Sequence, residues 1–123
     1  MNLQESGEMY LEAIYVLAQS SERVRSTDVG TYLGYSKPSV SRAVGILKNG
    51  GFVSVEEDGS LSLLPKGYEI AKKMYERHTA LSEFLQKLGV PKDIAAADAC
   101  KIEHDISDVS FGAIIEHYKK MEK

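Results

Sequence analysis

The sequence predicts a mainly α-helical fold with one small β-hairpin, organised as two consecutive parts. Three observations predict it. Two short helical segments opened by Ser26 and Ser36 flank a tight turn at Gly34. Two alternating runs, Phe52–Val55 and Leu61–Leu64, enclose the turn-rich Glu57-Asp58-Gly59-Ser60. Beyond Pro65, apolar residues recur at helical spacing almost to the end of the chain. Helix, glycine turn, helix and hairpin together describe a winged helix-turn-helix from about Ser26 to Leu64. This places one domain at residues 1–66 and a helical second domain at 67–123.

Each element has a local reason. Glu8 to Ala18 carries Met9, Ile14, Val16 and Leu17 at near-helical spacing and stops at Ser20-Ser21, which predicts the first helix. Ser26 is the expected N-cap of a helix over Thr27–Leu33, ended by Gly34. Ser36 is expected to cap a third helix that starts at Lys37-Pro38, where proline is tolerated in the first turn, and runs to Lys48 before Asn49-Gly50-Gly51. Pro65-Lys66-Gly67 opens a long helix from about Tyr68 to Leu88 with a stripe of Ile70, Met74, Leu81, Phe84, Leu85 and Leu88, closed by Gly89. Pro91 and Asp93 begin another helix that passes Cys100 and ends near Ile106. Ser107-Asp108 then caps a last one holding Phe111, Ile114, Ile115 and Tyr118.

Composition narrows the function. With 43% hydrophobic and 27% charged residues the chain reads as an ordinary globular protein, and no apolar run approaches the ~20 residues of a membrane helix. Met1 to Ser6 lacks a basic and apolar leader pattern, so a cytoplasmic location and no membrane partner are expected. The single Cys100 excludes an internal disulfide framework. The net charge of −3 argues against indiscriminate nucleic-acid binding. Between Glu22 and Asn49, however, five bases (Arg23, Arg25, Lys37, Arg42, Lys48) face two acids, a local excess suited to phosphate.

In a helix-turn-helix the first turns of the second helix enter the major groove. Here they carry Ser36, Lys37, Pro38, Ser39, Ser41 and Arg42. Arg42 is the candidate for reading guanine through its two-pronged fork, and Pro38 offers apolar surface to a thymine methyl. Ser36, Ser39, Ser41 and Lys37 suit phosphates, with Arg25 added to the DNA-facing set. Alternatively Val40, Val44 and Leu47 mark the buried face of an ordinary helix whose polar side is only solvated. Glu56, Glu57 and Asp58 would repel phosphate, so the hairpin tip is expected to stand away from the DNA backbone.

A second group of residues suggests a metal. Met9 and Glu12 share a face of the first helix, and Cys100, Glu103 and His104 stand at i, i+3 and i+4. Soft sulfur, hard oxygen and borderline nitrogen suit a late first-row ion such as Fe(II), Co(II), Ni(II) or Zn(II). His78 on the long helix could add an imidazole. Each also has an ordinary role: Met9 as core filler, Cys100 as a small buried hydrophobe, His78 and Glu12 as surface residues. His117, beside Glu116, Lys119 and Lys120, is expected on a solvated face.

Glu8-Met9-Tyr10-Leu11-Glu12-Ala13-Ile14-Tyr15, Ser36-Lys37-Pro38-Ser39-Val40-Ser41, Pro65-Lys66-Gly67, Arg77-His78 and Cys100-Lys101-Ile102-Glu103-His104 occur in that order over nearly the whole chain. Together they resemble the diphtheria-toxin-repressor family of metal-dependent repressors, in a short two-domain form. The resemblance implies a homodimer that binds a palindromic double-stranded operator when loaded with Fe(II) or Mn(II) and represses metal uptake. It implies a primary site of Met9, Cys100, Glu103 and His104, with Glu12 and His78 completing a binuclear site. It also implies no enzymatic activity and no small-molecule substrate. Departures exist: Ala96 and Ser82 replace a histidine and a glutamate usual in iron-type members, and an SH3-like third domain is not represented. The sulfur donors favour Fe(II) over Mn(II), which prefers oxygen. Metal is expected to tie the first helix to those bearing His78 and Cys100.

Other readings stay open at this level. A winged-helix regulator could respond to a small organic ligand or to oxidation of Cys100. A hydrolase using Glu103 as base lacks a nucleophile motif, an oxyanion-type glycine turn and an HExxH arrangement. A pure protein-interaction module would show no salt-dependent binding to duplex DNA.

Overall fold

The computed structural model describes residues 5–121. The chain divides into two compact units, with the boundary between Lys73 and Met74.

The first unit begins with α1 (Glu5–Ala18), three residues earlier than the apolar pattern announces. Tyr10, Leu11, Ala13 and Ile14 form its buried face and pack against α2 (Ser26–Leu33), α3 (Lys37–Asn49) and the sheet. Between α1 and α2 lies β1 (Val24–Arg25), which sequence reading misses because two residues are too few to show alternation. β1 pairs antiparallel with β3 (Ser60–Leu63), and β3 pairs with β2 (Val53–Val55), in the order β1-β3-β2. The expected hairpin therefore supplies the central strand and one edge of a three-stranded sheet.

The caps fall close to expectation with one correction. Ser26 is the first residue of α2, and the capping position belongs to Arg25, whose backbone N–H donates to the Asp28 carboxylate at 2.9 Å. An acid at the third helical position thus satisfies the N–H of the capping residue, where a capping serine hydroxyl would instead have accepted from a first-turn N–H. Gly34 ends α2 in the left-handed region (φ 76°), which glycine enters without steric cost, and its N–H reaches Gly30 O at 2.8 Å. Ser36 caps α3 as expected, accepting from Ser39 N at 3.4 Å. Val40, Val44 and Leu47 turn inward and join Val24, Val29, Phe52, Val53 and Leu61 in the core.

α4 (Pro65–Lys87) starts at the proline itself and docks its first turn on Phe52. Lys66 donates to Gly50 O at 2.7 Å with its ammonium 4.2 Å from the centre of the Phe52 ring. Gly67 lies so close to Phe52 that a Cβ there would stand 2.2 Å from the Phe52 carbonyl oxygen.

The second unit holds the rest of α4, α5 (Lys92–Asp105) and α6 (Asp108–Met121). Met74 and Leu81 of α4 and Ala95 and Ala99 of α5 are buried. Ser107 caps α6 as expected, accepting from Ser110 N at 3.1 Å. The junction of α5 and α6 is gathered by Arg77, a nearly buried guanidinium. It donates to the carbonyls of Glu103 (3.3 Å) and Ile106 (2.9 Å), pairs with the Asp108 carboxylate and lies over the Phe111 ring at 5.0 Å. These contacts satisfy carbonyls that the end of α5 leaves without helical donors. Among the described residues no helix is long and apolar enough to cross a membrane.

Candidate functional site

α5 buries Ala95, Ala99 and Glu103, one residue per turn along a single face. Two alanines followed by a carboxylate make an unusual buried stripe, because ionised groups are rarely fully buried unless partnered. Glu103 has no exposed surface. One of its oxygens lies 3.2 Å from His78 Nδ1 of α4, and the other lies 3.2 Å from Nε2 of its neighbour His104. The His104 side chain is likewise fully buried, and that of His78 is mostly so. Arg77 fixes the backbone of this turn through its bond to the Glu103 carbonyl.

A buried carboxylate converging with two imidazole nitrogens is a donor set fit for a divalent cation. Cys100, one turn earlier on α5, is half-buried and adds a thiol on the same helix. In the first unit, Met9 and Glu12 are both half-buried on α1, and the Met9 sulfur accepts a hydrogen bond from the Tyr35 hydroxyl at 3.2 Å. Within the second unit the fold thus brings His78, Glu103 and His104 together. His117 is exposed, in keeping with a solvated face.

Sequence reasoning missed Arg77 and Tyr35. Arg77 stood out only as the neighbour of His78, and a tyrosine in a turn gives no signal of a bond made to a residue 26 positions away.

The helix-turn-helix presents a polar surface. Lys37, Pro38, Ser41 and Arg42 are exposed on α3 and Ser39 is half-buried. Ser36 is exposed, but its hydroxyl is engaged in the cap and donates to Ser39 Oγ at 2.9 Å. That arrangement leaves the hydroxyls of Ser39 and Ser41 as better placed donors to an outside anion. Farther along α3, Ile46 is 60% exposed, a large apolar side chain open to solvent among these polar residues. Burial, with the nearby Tyr35 phenol, pushes the Tyr10 hydroxyl above its ordinary range, while the Arg42 guanidinium opposes the shift.

Arg25 is exposed in β1, with a guanidinium nitrogen 3.9 Å from where a Cβ on Gly59 would lie, so it runs beside the hairpin turn. The acids of that turn are partly engaged locally. Asp58 accepts from the Ser60 hydroxyl (2.6 Å) and N–H (3.0 Å) and from Arg23 (2.8 Å), and the Ser60 bonds hold its carboxyl below the usual range. Glu56 accepts from Ser54 at 3.1 Å. The negative charge at the tip is thus partly offset by Arg23 and Arg25.

Comparison with known proteins agrees with this layout. Residues 2–61 match the family described as iron dependent repressor, N-terminal DNA binding domain, and residues 64–123 the one described as iron dependent repressor, metal binding and dimerisation domain. The chain is 31% identical over 118 residues to the HTH-type transcriptional regulator MntR of Lysinibacillus sphaericus, covering 96% of this chain and 85% of that protein. It is 32% identical over 106 residues to the transcriptional regulator MntR of Salmonella typhimurium, covering 86% and 68%. The solved structure of the manganese regulator SloR is similar with a TM-score of 0.82 at 26% identity, over 97% of this chain and 55% of that one. This chain therefore spans about half the length of that solved protein.

Proposed function

Because the chain belongs to the iron-dependent repressor family of metal-responsive transcriptional regulators, we propose that it binds palindromic operator DNA as a homodimer when loaded with a divalent metal. The ligands we assign are Met9, Glu12, His78, Cys100, Glu103 and His104. The single observation that carries the metal assignment is the fully buried Glu103 carboxylate, 3.2 Å from an imidazole nitrogen on each side. A bound divalent ion supplies concentrated positive charge to a carboxylate that water cannot reach.

The residues of the chain divide the remaining work. Glu103 and His104 project from one turn of α5 that Arg77 holds in place, and His78 comes from α4. Cys100 and Met9 contribute sulfur, which supports Fe(II) over Mn(II); Co(II), Ni(II) and Zn(II) suit the same donors. On the DNA side, Arg42 would read guanine and Pro38 a thymine methyl. Lys37, Ser39, Ser41 and Arg25 would hold phosphates, and Ser36 shapes the start of the helix that carries them. Donors from α1 make the DNA-reading unit sensitive to occupancy, so a loaded dimer would present two α3 helices at a spacing suited to half-sites about one helical turn apart, or a multiple of that.

Cys100→Ala tests the metal preference. Titrated anaerobically, the variant is expected to lose about tenfold or more in affinity for Fe(II) and Zn(II) and under about threefold for Mn(II), because Mn(II) gains little from a thiolate. No loss for any metal would remove Cys100 from the site, and an equal loss for Mn(II) would overturn the iron preference.

A further inference from the structure

We infer that Tyr35 is a positioning residue for the thioether of Met9, joining that ligand to the start of the recognition helix. The inference rests on the reading of Met9 as a metal ligand. The Tyr35 hydroxyl donates to Met9 Sδ at 3.2 Å across the first unit. Tyr35 is the residue between the α2-ending Gly34 and the α3-capping Ser36. Its own position is firmly set. Its N–H donates to Gly30 O at 3.0 Å, and its ring lies 5.8 Å from the ring of Tyr10, which is buried on α1. Gly30 leaves room for this approach, since a Cβ there would come within 3.2 Å of the Tyr35 carbonyl oxygen.

A methionine side chain has three rotatable bonds beyond Cα and loses much of that freedom when its sulfur is fixed as a ligand. A thioether also has two lone pairs, so accepting from a phenol leaves one for a cation. Tyr35 therefore limits the search of Met9 in advance while leaving its donor capacity intact. The same bond ties the turn before α3 to α1, so constraint on the Met9 sulfur reaches the residue next to the Ser36 cap. Because Tyr35 is 42% exposed, removing its hydroxyl leaves no buried hole.

The test is a double-mutant cycle read by equilibrium metal binding on the full-length protein, with Co(II) as an air-stable, sulfur-tolerant probe and Mn(II) as the oxygen-preferring control. Tyr35→Phe keeps the ring against Tyr10 and removes only the donor. It is expected to weaken Co(II) binding roughly threefold to tenfold, the cost of ordering one flexible side chain on binding rather than in advance, and to change Mn(II) binding less than about twofold. In a Met9→Leu background, adding Tyr35→Phe should change Co(II) affinity no further. An undiminished Co(II) affinity in Tyr35→Phe would overturn the inference, as would the same loss with and without Met9. Circular dichroism melting of the metal-free variants separates misfolding from ligand effects; a Tyr35→Phe melt well below wild type would assign Tyr35 a structural role and also overturn the inference. If the wild type itself takes up no Co(II), the metal-site reading fails, and this inference fails with it.

Discussion

Glu103→Gln is expected to lower Fe(II) and Co(II) affinity by about a hundredfold or more and to remove most of the thermal stabilisation that metal provides. The substitution preserves shape and takes away the charge that a cation would face, and even outer-shell partners of metal ligands are typically worth about ten- to a hundredfold. Metal held at a hundred times the wild-type Kd stabilises the folded protein by about 2.7 kcal/mol; a hundredfold weaker variant at the same concentration gains only about 0.4 kcal/mol. For a chain of this size that difference is on the order of 10 °C in Tm against about 2 °C. Paired melting curves of both proteins, with and without metal, check it. An equal metal-induced shift in the two would exclude Glu103 as a ligand despite its burial.

Gly67→Ala should be the most damaging small substitution outside the metal site. In the interior of a helix alanine is ordinarily preferred to glycine by about 1 kcal/mol. Here the added Cβ would meet the Phe52 carbonyl oxygen at 2.2 Å, its carbonyl carbon at 3.0 Å and its Cα at 3.3 Å. These are backbone atoms, which cannot swing aside as a side chain can, and the Phe52 carbonyl also accepts from Leu64 N at 2.9 Å. Relief requires α4 to lift from Phe52, at a cost that overpacking places at about 1–3 kcal/mol and sometimes more. We expect a net loss of roughly 1–2 kcal/mol in urea unfolding. Gly112→Ala, in α6 with nothing within 4 Å of the new Cβ, should gain a few tenths to about 1 kcal/mol. Equal behaviour of the two variants would show that the approach of α4 to Phe52 is not a constraint.

The sequence made the fold legible where the structure depends on local chemistry. Ser36 caps α3, Gly34 turns the chain in the left-handed region and Ser107 starts α6, each because one residue type suits its backbone position. It failed where partners are distant or elements very short. β1 consists of Val24 and Arg25 alone and exists because β3 offers it a partner. The cap of α2 passed from Ser26 to Arg25 because the Asp28 carboxylate reaches back to that N–H. At the candidate site, Cys100, Glu103 and His104 could be grouped by helical spacing, whereas the meeting of His78 with Glu103 follows from how α4 packs on α5. Nothing local marks Arg77 as the residue that closes α5, or Tyr35 as the partner of a methionine sulfur. Both roles arise from tertiary contacts between residues more than twenty positions apart.

The central claim, that metal controls DNA binding by this chain, is tested most directly by equilibrium binding of the metal-stripped protein to duplex DNA. The duplex should be one that the loaded protein selects from a random pool, with Fe(II) titrated in anaerobically at fixed ionic strength. The account predicts that affinity rises by about tenfold or more at saturation and returns to its starting value on chelation, a coupling within the usual range for a ligand-gated site. The same affinity before loading, after loading and after chelation would contradict it.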